Sequence, residues 1–442
     1  MKSERTSTVL LSAAAAVFLA GCLAWVFPRA ATAAAGEWLL PALSVTAVML
    51  AIAMASPWPL LRALLLVLAV TLVAAWNRAS ITSTSHFAGA ALGCLAMVGV
   101  GSWARTPHRV RAAMLAFLCG GMVILVLGLA GTDIAPSARQ ALRSTLSVTP
   151  PSIPLGLDGL DARGDVNPNA LAAAVLLVLP VGIAVALFGR RQKVDWWTLL
   201  PAALVTTVFG IVTLAMTVSR TALIAVWLIA LGLLVVGMRS RLHRAVAGII
   251  VLAPMVILTG RLTFVITQDQ AWADGYFGWV SARGRAQIMS QALDRWKASP
   301  WLGIGVNEFR HVYVPRPGDV SQEPDIAHAH NILLQTLLDI GLVGSVAYWG
   351  ILALLLVRAS RAANGTSRTA RAAAVGGAFS LIGVTLFGLT DAVPLGAKIG
   401  TLQWIAGGLI LGAGEVRFSP SDSADTIAVD MPSQPPLASA TT

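Results

Sequence analysis

Apolar runs long enough to cross about 30 Å of hydrocarbon recur along almost the whole chain, separated by short polar breaks. They predict membrane-spanning helices near 8–27, 37–55, 59–76, 87–104, 112–131, 169–189, 196–217, 221–238, 245–260, 331–357, 371–390 and 396–413, about 12 in all. The first run follows Lys2 and Arg5 and contains Leu19-Ala-Gly-Cys22, which looks like a lipoprotein cleavage box. Lipidation would add nothing to the anchoring that the later spans provide, so the run is read as a first transmembrane helix with no segment to be removed.

Two longer polar stretches interrupt the pattern, about 132–168 and about 261–330. Loops of such length in a compact protein are functional or disordered. In the first, Pro150-Pro-Ser-Ile-Pro154 and several glycines oppose regular structure, and Arg139, Arg143, Arg163, Asp158, Asp161 and Asp165 make it polar. In the second, 285–297 reads as an amphipathic helix, with Ile288, Met289, Ala292, Leu293 and Trp296 at helical spacing, suited to lying on a membrane surface. Pro300-Trp-Leu-Gly-Ile-Gly305 then stops it. The aromatic residues around it, Trp272, Tyr276, Phe277, Trp279, Trp301, Phe309 and Tyr313, suit interfacial anchoring better than stacking on sugars. From about Ser419 to Thr442 the chain is rich in Ser, Asp and Pro and too poor in apolar residues to fold. The expected organisation is a membrane domain over 1–418 and a disordered cytoplasmic tail over 419–442.

Composition agrees: 57% of residues are hydrophobic and 12% charged, against about 25% charged in soluble domains. The chain is all-α and polytopic. Its +11 net charge reflects topology rather than nucleic-acid binding, because basic residues gather on alternate loops. Arg105, Arg109 and Arg111, then Arg190, Arg191 and Lys193, then Arg239, Arg241 and Arg244, then Arg358, Arg361, Arg368 and Arg371 mark the cytoplasmic side. The short external loops carry single basic residues such as Arg29, Arg78 and Lys398, and both termini are expected in the cytoplasm. Cys22, Cys94 and Cys119 lie in apolar segments with neither metal-ligand spacing nor a disulfide framework.

Candidate chemistry falls on the external side. His328 and His330 stand in a polar approach to a long apolar helix, so an imidazole that titrates near neutral pH sits where water meets membrane. Three readings remain open: a metal pair, whose third ligand would have to be Asp325 or Glu323; an incidental interfacial histidine; and a general base for a hydroxyl acceptor. Arg220, pinned between two spans, and Arg283 and Arg285, at the start of the amphipathic helix, are basic where positive charge is disfavoured. Alone, each could snorkel to lipid headgroups; together with His330 they suit an anionic phosphate group, which arginine binds bidentately. Asp339 lies roughly 13 Å along the helix from His330. A carboxylate at that depth is a functional suspect, here neutralised or paired. Gly341 and Gly344, on one helix face, suit close helix packing.

His330-Asn331, followed nine residues later by Gly341-x-x-Gly344, resembles the signature of bacterial O-antigen ligases, within a larger group that also holds O-antigen polymerases and protein O-oligosaccharyltransferases. Asn167-Pro-Asn169, Ser219-Arg220-Thr-Ala222, and Gly284-Arg285 leading through Pro300-x-x-Gly-x-Gly305 to Phe309 look like other patches of that group, in order, over about 150 residues. The resemblance implies a GT-C-like glycosyltransferase with its large loop and active site at the periplasmic face of a Gram-negative inner membrane. The donor would be an undecaprenyl-pyrophosphate-linked glycan and the acceptor a sugar hydroxyl of lipid A-core. It implies no cofactor, no metal and inversion at the anomeric carbon. His330 matches the histidine proposed as base, and Arg220 and Arg285 match the pyrophosphate-binding arginines, with Arg283 able to take the role of Arg285. His328, Asn331 and Asn169 are expected to line the substrate site.

A polymerase of the same group would lengthen the glycan instead. A protein O-oligosaccharyltransferase would use a serine or threonine acceptor and often carries a C-terminal soluble domain, where this chain ends in a short tail. A lipid-linked-glycan flippase is the non-enzyme rival, but transporters place ionisable groups along a mid-membrane path, whereas these spans are nearly free of charge.

Overall fold

The computed structural model describes residues 2–26, 36–76, 81–131, 167–189, 198–217, 219–237, 279–315, 317, 326, 328–365 and 367–416. The regular elements among them are all helices: α1 (Lys2–Val26), α2 (Leu39–Met54), α3 (Pro59–Trp76), α4 (Ile81–Trp103), α5 (Pro107–Gly131), α6 (Pro168–Gly189), α7 (Leu199–Thr217), α8 (Arg220–Gly237), α9 (Trp279–Ala298), the single turn α10 (Phe309–Val312), α11 (Ile332–Ala363), α12 (Arg368–Gly388) and α13 (Gly400–Gly414). Eight of these helices are long and apolar enough to cross a membrane, and α2 and most of α8 form shorter apolar helices. Helices are what such a sequence must form in lipid, where each backbone N–H and C=O has to be satisfied within the segment. The chain is a multi-pass membrane protein. The span expected at 245–260, the loop at 132–166 and the tail from 417 lie outside the described residues.

The centre of the bundle is α6, whose residues from Leu171 to Leu179 are almost wholly buried, as befits a helix apolar on every side. It packs along α12, and α4 packs along α13. Small residues permit both approaches: Gly93 of α4 lies under the ring of Trp404, and Gly376 of α12 against the backbone of Val181. The outward faces remain apolar, with Val67, Val70 and Val73 of α3 and Leu204, Val205 and Val208 of α7 exposed, as lipid contact requires.

The helix ends sort onto two sides. At one, Trp58 Nε1 donates to Glu415 Oε1 at 2.8 Å, Arg358 pairs with the same carboxylate at 3.4 Å, and Arg105 lies 5.8 Å over the Trp58 ring. At the other, Thr390 Oγ1 donates to Thr221 Oγ1 at 2.9 Å, and Asn331 Nδ2 donates to the Leu389 carbonyl at 3.0 Å. The starts of α8 and α11 and the end of α12 therefore meet at the end opposite the basic cluster.

The expected helix at 331–357 is broken. At Gly341 the backbone turns to φ 66, ψ −173, a region open essentially to glycine alone, and the helical hydrogen bonds around it open. The segment following α9 closes them: Ile304 N–H donates to the Leu338 carbonyl at 2.7 Å, and Leu342 and Val343 N–H donate to the carbonyls of Pro300 and Trp301 at 2.8 and 3.3 Å. Gly303, itself at φ 73, lies against the Leu338 carbonyl. Gly341 is thus a docking point for a loop rather than a helix-packing glycine. Gly344 does pack as expected, with an added Cβ falling 2.8 Å from Thr71 Oγ1 of α3.

This docking also decides the fate of α9. Part of its apolar face is covered by protein: Ile288 and Ala292 are buried with Phe309, Tyr313, Ile326, Ala329 and Leu338, while Leu293 remains exposed. Phe309 and Tyr313 are accordingly core residues rather than interfacial anchors, whereas Trp301 is exposed. Periodicity registered an apolar face correctly but could not say whether lipid or protein covers it.

Replacing Gly341 by alanine would drive a Cβ into the Trp301 carbonyl and force a conformation that L residues rarely adopt. We expect Gly341→Ala to lower the yield of monodisperse protein in detergent and its Tm substantially, while Gly99→Ala, where a Cβ meets nothing within 4 Å, leaves both near wild type. Equal behaviour of the two variants in a thermal-shift and gel-filtration comparison would contradict the docking role.

Candidate active site

The turn from His328 to Asn331 is shaped by its own hydrogen bonds. Asn331 Oδ1 caps α11 by accepting the Leu334 N–H at 3.0 Å, the standard device for an orphan N–H at a helix start, while its amide nitrogen clamps the Leu389 carbonyl. Both ends of the side chain expected to line the site are therefore used in building it. Between cap and loop, His330 is held at φ 52, an uncommon backbone state for a residue with a side chain. In consequence both imidazoles turn toward the loop that follows α12.

There they meet Asp391. Its Oδ1 lies 3.3 Å from His330 Nδ1 and 3.4 Å from His328 Nε2, and the two rings stand edge to face with centroids 4.5 Å apart. The His330 distance is long for an N–H···O bond, so the contact is an electrostatic pairing rather than a tight hydrogen bond. The His330 backbone N–H points to His328 Nδ1 at 3.4 Å, which makes that nitrogen an acceptor and leaves the His328 proton on Nε2, facing Asp391. With Asp391 facing His330 Nδ1, the proton of a neutral His330 belongs there, and Nε2 keeps a free lone pair.

The charges follow from these surroundings. Burial above all, then His330 and Arg285, push the His328 imidazole down to about 4 against the upward pull of Asp391, so it is neutral at physiological pH. Burial alone would raise the Asp391 carboxyl, but the pairing with His330 and the nearness of both imidazoles outweigh it and hold the carboxyl below its ordinary range. The charge of Arg285 is felt at His328 as the smallest of the influences on it, which puts the guanidinium within electrostatic range of the cluster, and among the described residues no carboxylate pairs with it.

Arg285 and His328 thus join His330 in one place. Arg220 begins α8, one residue before the Thr221 that bonds to Thr390, the neighbour of Asp391. Its backbone is at the site, while its side chain, like that of Arg283, lies outside the described residues. Asn169 stands in the first turn of α6 with its backbone N–H donated to Asn167 Oδ1 at 2.8 Å, and among the described residues no hydrogen bond joins it to the histidines. The residue that sequence reasoning missed is Asp391. A lone carboxylate at the end of a span opposite the basic loops, just ahead of Pro394, was its available signal, of the same kind that singled out Arg220 and Arg285.

His328, His330 and Asp391 bring three ligand-type atoms within 4.8 Å of one another. By donor chemistry this set could hold a transition-metal ion, with Asp391 rather than Asp325 or Glu323 as third member. The same set can serve as an acid–base pair with a supporting neutral histidine.

Comparison with known proteins bears on the choice of chemistry. Residues 205–349 match the family model described as O-antigen ligase. The similarity is confined to this stretch, which is less than half of the chain. No curated protein matches the chain. The matched stretch contains Arg220, Arg283, Arg285, His328, His330 and Asn331, and Asp391 lies beyond it. The match links this stretch to glycosyl transfer of the O-antigen ligase or polymerase type.

The neutral state of His328 has a measurable consequence. In an unfolded chain it would take a proton near 6.5, in the fold only near 4; the folded pKa is depressed, so its contribution to stability is complete above about 6.5 and is lost as pH falls toward and through about 4. Thermal unfolding in detergent between pH 7.5 and 4 should therefore show a steeper fall in Tm for wild type than for His328→Asn. Parallel curves would mean that His328 is not held neutral.

Proposed function

We propose that the protein is an O-antigen ligase, acting at the periplasmic face of a Gram-negative inner membrane. It transfers a glycan from undecaprenyl pyrophosphate to a sugar hydroxyl of lipid A-core. The observation that carries this reading is the pairing of His330 with Asp391 beside Arg285, at the end of the bundle opposite the basic cluster, within a chain whose 205–349 stretch matches the O-antigen ligase family.

In the reaction proposed, His330 Nε2 accepts the proton of the acceptor hydroxyl as its oxygen attacks the anomeric carbon. The bond from that carbon to the pyrophosphate oxygen breaks, and its electron pair leaves with undecaprenyl pyrophosphate. A single displacement inverts the anomeric centre. Asp391 keeps the imidazole oriented through Nδ1 and offsets the charge it acquires, as a carboxylate does beside a catalytic histidine. Arg285, with Arg220 and Arg283 as further candidates, stabilises the negative charge growing on the leaving group. No cofactor is required, and we propose the reaction to be metal-independent.

Purified protein reconstituted with lipid-linked glycan and lipid A-core should transfer glycan in the presence of a chelator. A positioned general base is worth about 10²–10⁴ in rate, so His330→Ala should lose on the order of 10² or more, and Asp391→Asn should also fall well below wild type. Loss of activity with chelator, restored by added zinc, would instead assign His328, His330 and Asp391 as metal ligands. In cells, His330→Ala should leave lipid A-core bare while full-length lipid-linked polymer accumulates. Core capped by single repeats would identify a polymerase.

A further inference from the structure

Beneath the histidine turn runs a buried polar relay that the displacement itself does not touch. Gln335, fully buried, accepts the N–H of Ala329 on Oε1 at 2.8 Å and donates from Nε2 to Asp339 Oδ1, also at 2.8 Å. The same carboxylate oxygen accepts the N–H of Asn307 at 3.0 Å. Ala329 is the residue between the two histidines, and Asn307, at φ 60, belongs to the segment that joins α9 to the break in α11. One oxygen of Asp339 therefore ties together the turn that carries His330, the helix behind it, and the loop that ends the helix carrying Arg285.

We propose that Gln335 and Asp339 are positioning residues for glycosyl transfer, fixing His330 at a set orientation to Asp391 and at a set distance from Arg285. The proposal rests on the reading of His330 as base. Its physical ground is the φ of 52 at His330, a state that persists only where the surroundings impose it. The Ala329 N–H makes the bond that holds the turn immediately before that residue, and Ala329 is itself wholly buried, so losing Gln335 takes away that N–H's partner. The turn would then relax, and the His330 ring would move away from Asp391 Oδ1. Asp339 lies far from the reacting atoms along α11, which accounts for an acidic residue at that depth with no part in proton transfer.

The relay needs an amide acceptor and donor at 335 and an acceptor at 339; it does not need a charge at 339. In the reconstituted transfer assay we therefore expect Gln335→Leu to lower kcat at least tenfold with the KM for lipid-linked donor changed less than threefold, and to displace the acidic limb of the kcat/KM pH profile. Asp339→Leu should behave likewise, and Asp339→Asn, which keeps the oxygen shared by Gln335 and Asn307 but gives up an acceptor toward the Leu395 N–H, should recover at least half of the lost rate on a logarithmic scale and the wild-type profile. If Gln335→Leu does not fold, Gln335→Met, of near-equal length, gives the same comparison. Failure of both to fold, or folded variants with wild-type kcat and pH profile, would reduce Gln335 to a stability residue and overturn the proposal. His330→Ala measured alongside separates the two levels: undiminished transfer in that variant removes the base assignment and the purpose of the relay with it, whereas an inactive His330→Ala beside a fully active Gln335→Leu removes the relay alone.

Discussion

A membrane helix cannot leave backbone hydrogen bonds open, because lipid offers nothing to replace them. α11 leaves them open at Gly341, and the structure around the site depends on how they are closed. The Pro300–Ile304 segment supplies two carbonyls and one N–H to the gap, which draws a loop from outside the bundle down onto the first two turns of α11. Once that loop is docked, α9 must lie across the start of α11, Ile288 and Ala292 become protein core, and Arg285 comes within electrostatic range of His328. The break is thus a structural requirement of the site, at the cost of an irregular backbone tolerated only where protein covers it.

The two ends of the bundle manage charge differently. Where basic residues collect, Arg358, Glu415, Trp58 and Arg105 form a network of one carboxylate, two guanidinium groups and an indole, an arrangement that spreads positive charge and fastens loops. At the opposite end a single carboxylate faces two imidazoles and a nearby arginine. With His328 held neutral, Asp391 and Arg285 are the fixed charges around it, and in the proposed reaction the first supports the base while the second faces the leaving anion. That polarity is what an acyl-like or glycosyl displacement needs: a place for a proton and a separate place for departing negative charge.

Much of this was legible in the chain because hydropathy reports burial in lipid directly. Span positions from α2 to α12 agree with the apolar windows to within a few residues at most ends, and Arg220, Arg285, His328 and His330 stand out by lying away from the basic loops. What failed was whatever depended on a partner distant in sequence. Asp391 is 61 positions from His330, and no spacing links them. Gly341 fits a packing glycine equally well until Pro300 and Trp301 are known to occupy the gap. The amphipathic pattern of α9 marks an apolar face correctly but is silent on its cover. α13, expected over 396–413, begins only at Gly400, because Asp391–Gly396 is spent on an irregular turn that presents the carboxylate.

If His330 is the base, as proposed, His328 shows why a second histidine beside it need not compete with it. A charged His328 would claim Asp391 for itself and, through repulsion, oppose the protonation of His330 at the moment the reaction demands it. Burial and Arg285 keep His328 neutral, so it offers Asp391 only an N–H, and the full carboxylate charge remains available to the imidazolium that forms on His330. Its Nδ1, accepting the His330 backbone N–H, further steadies the left-handed residue. On the proposed reading the pair divides its work: His328 is held uncharged by its surroundings, and His330 serves as the base.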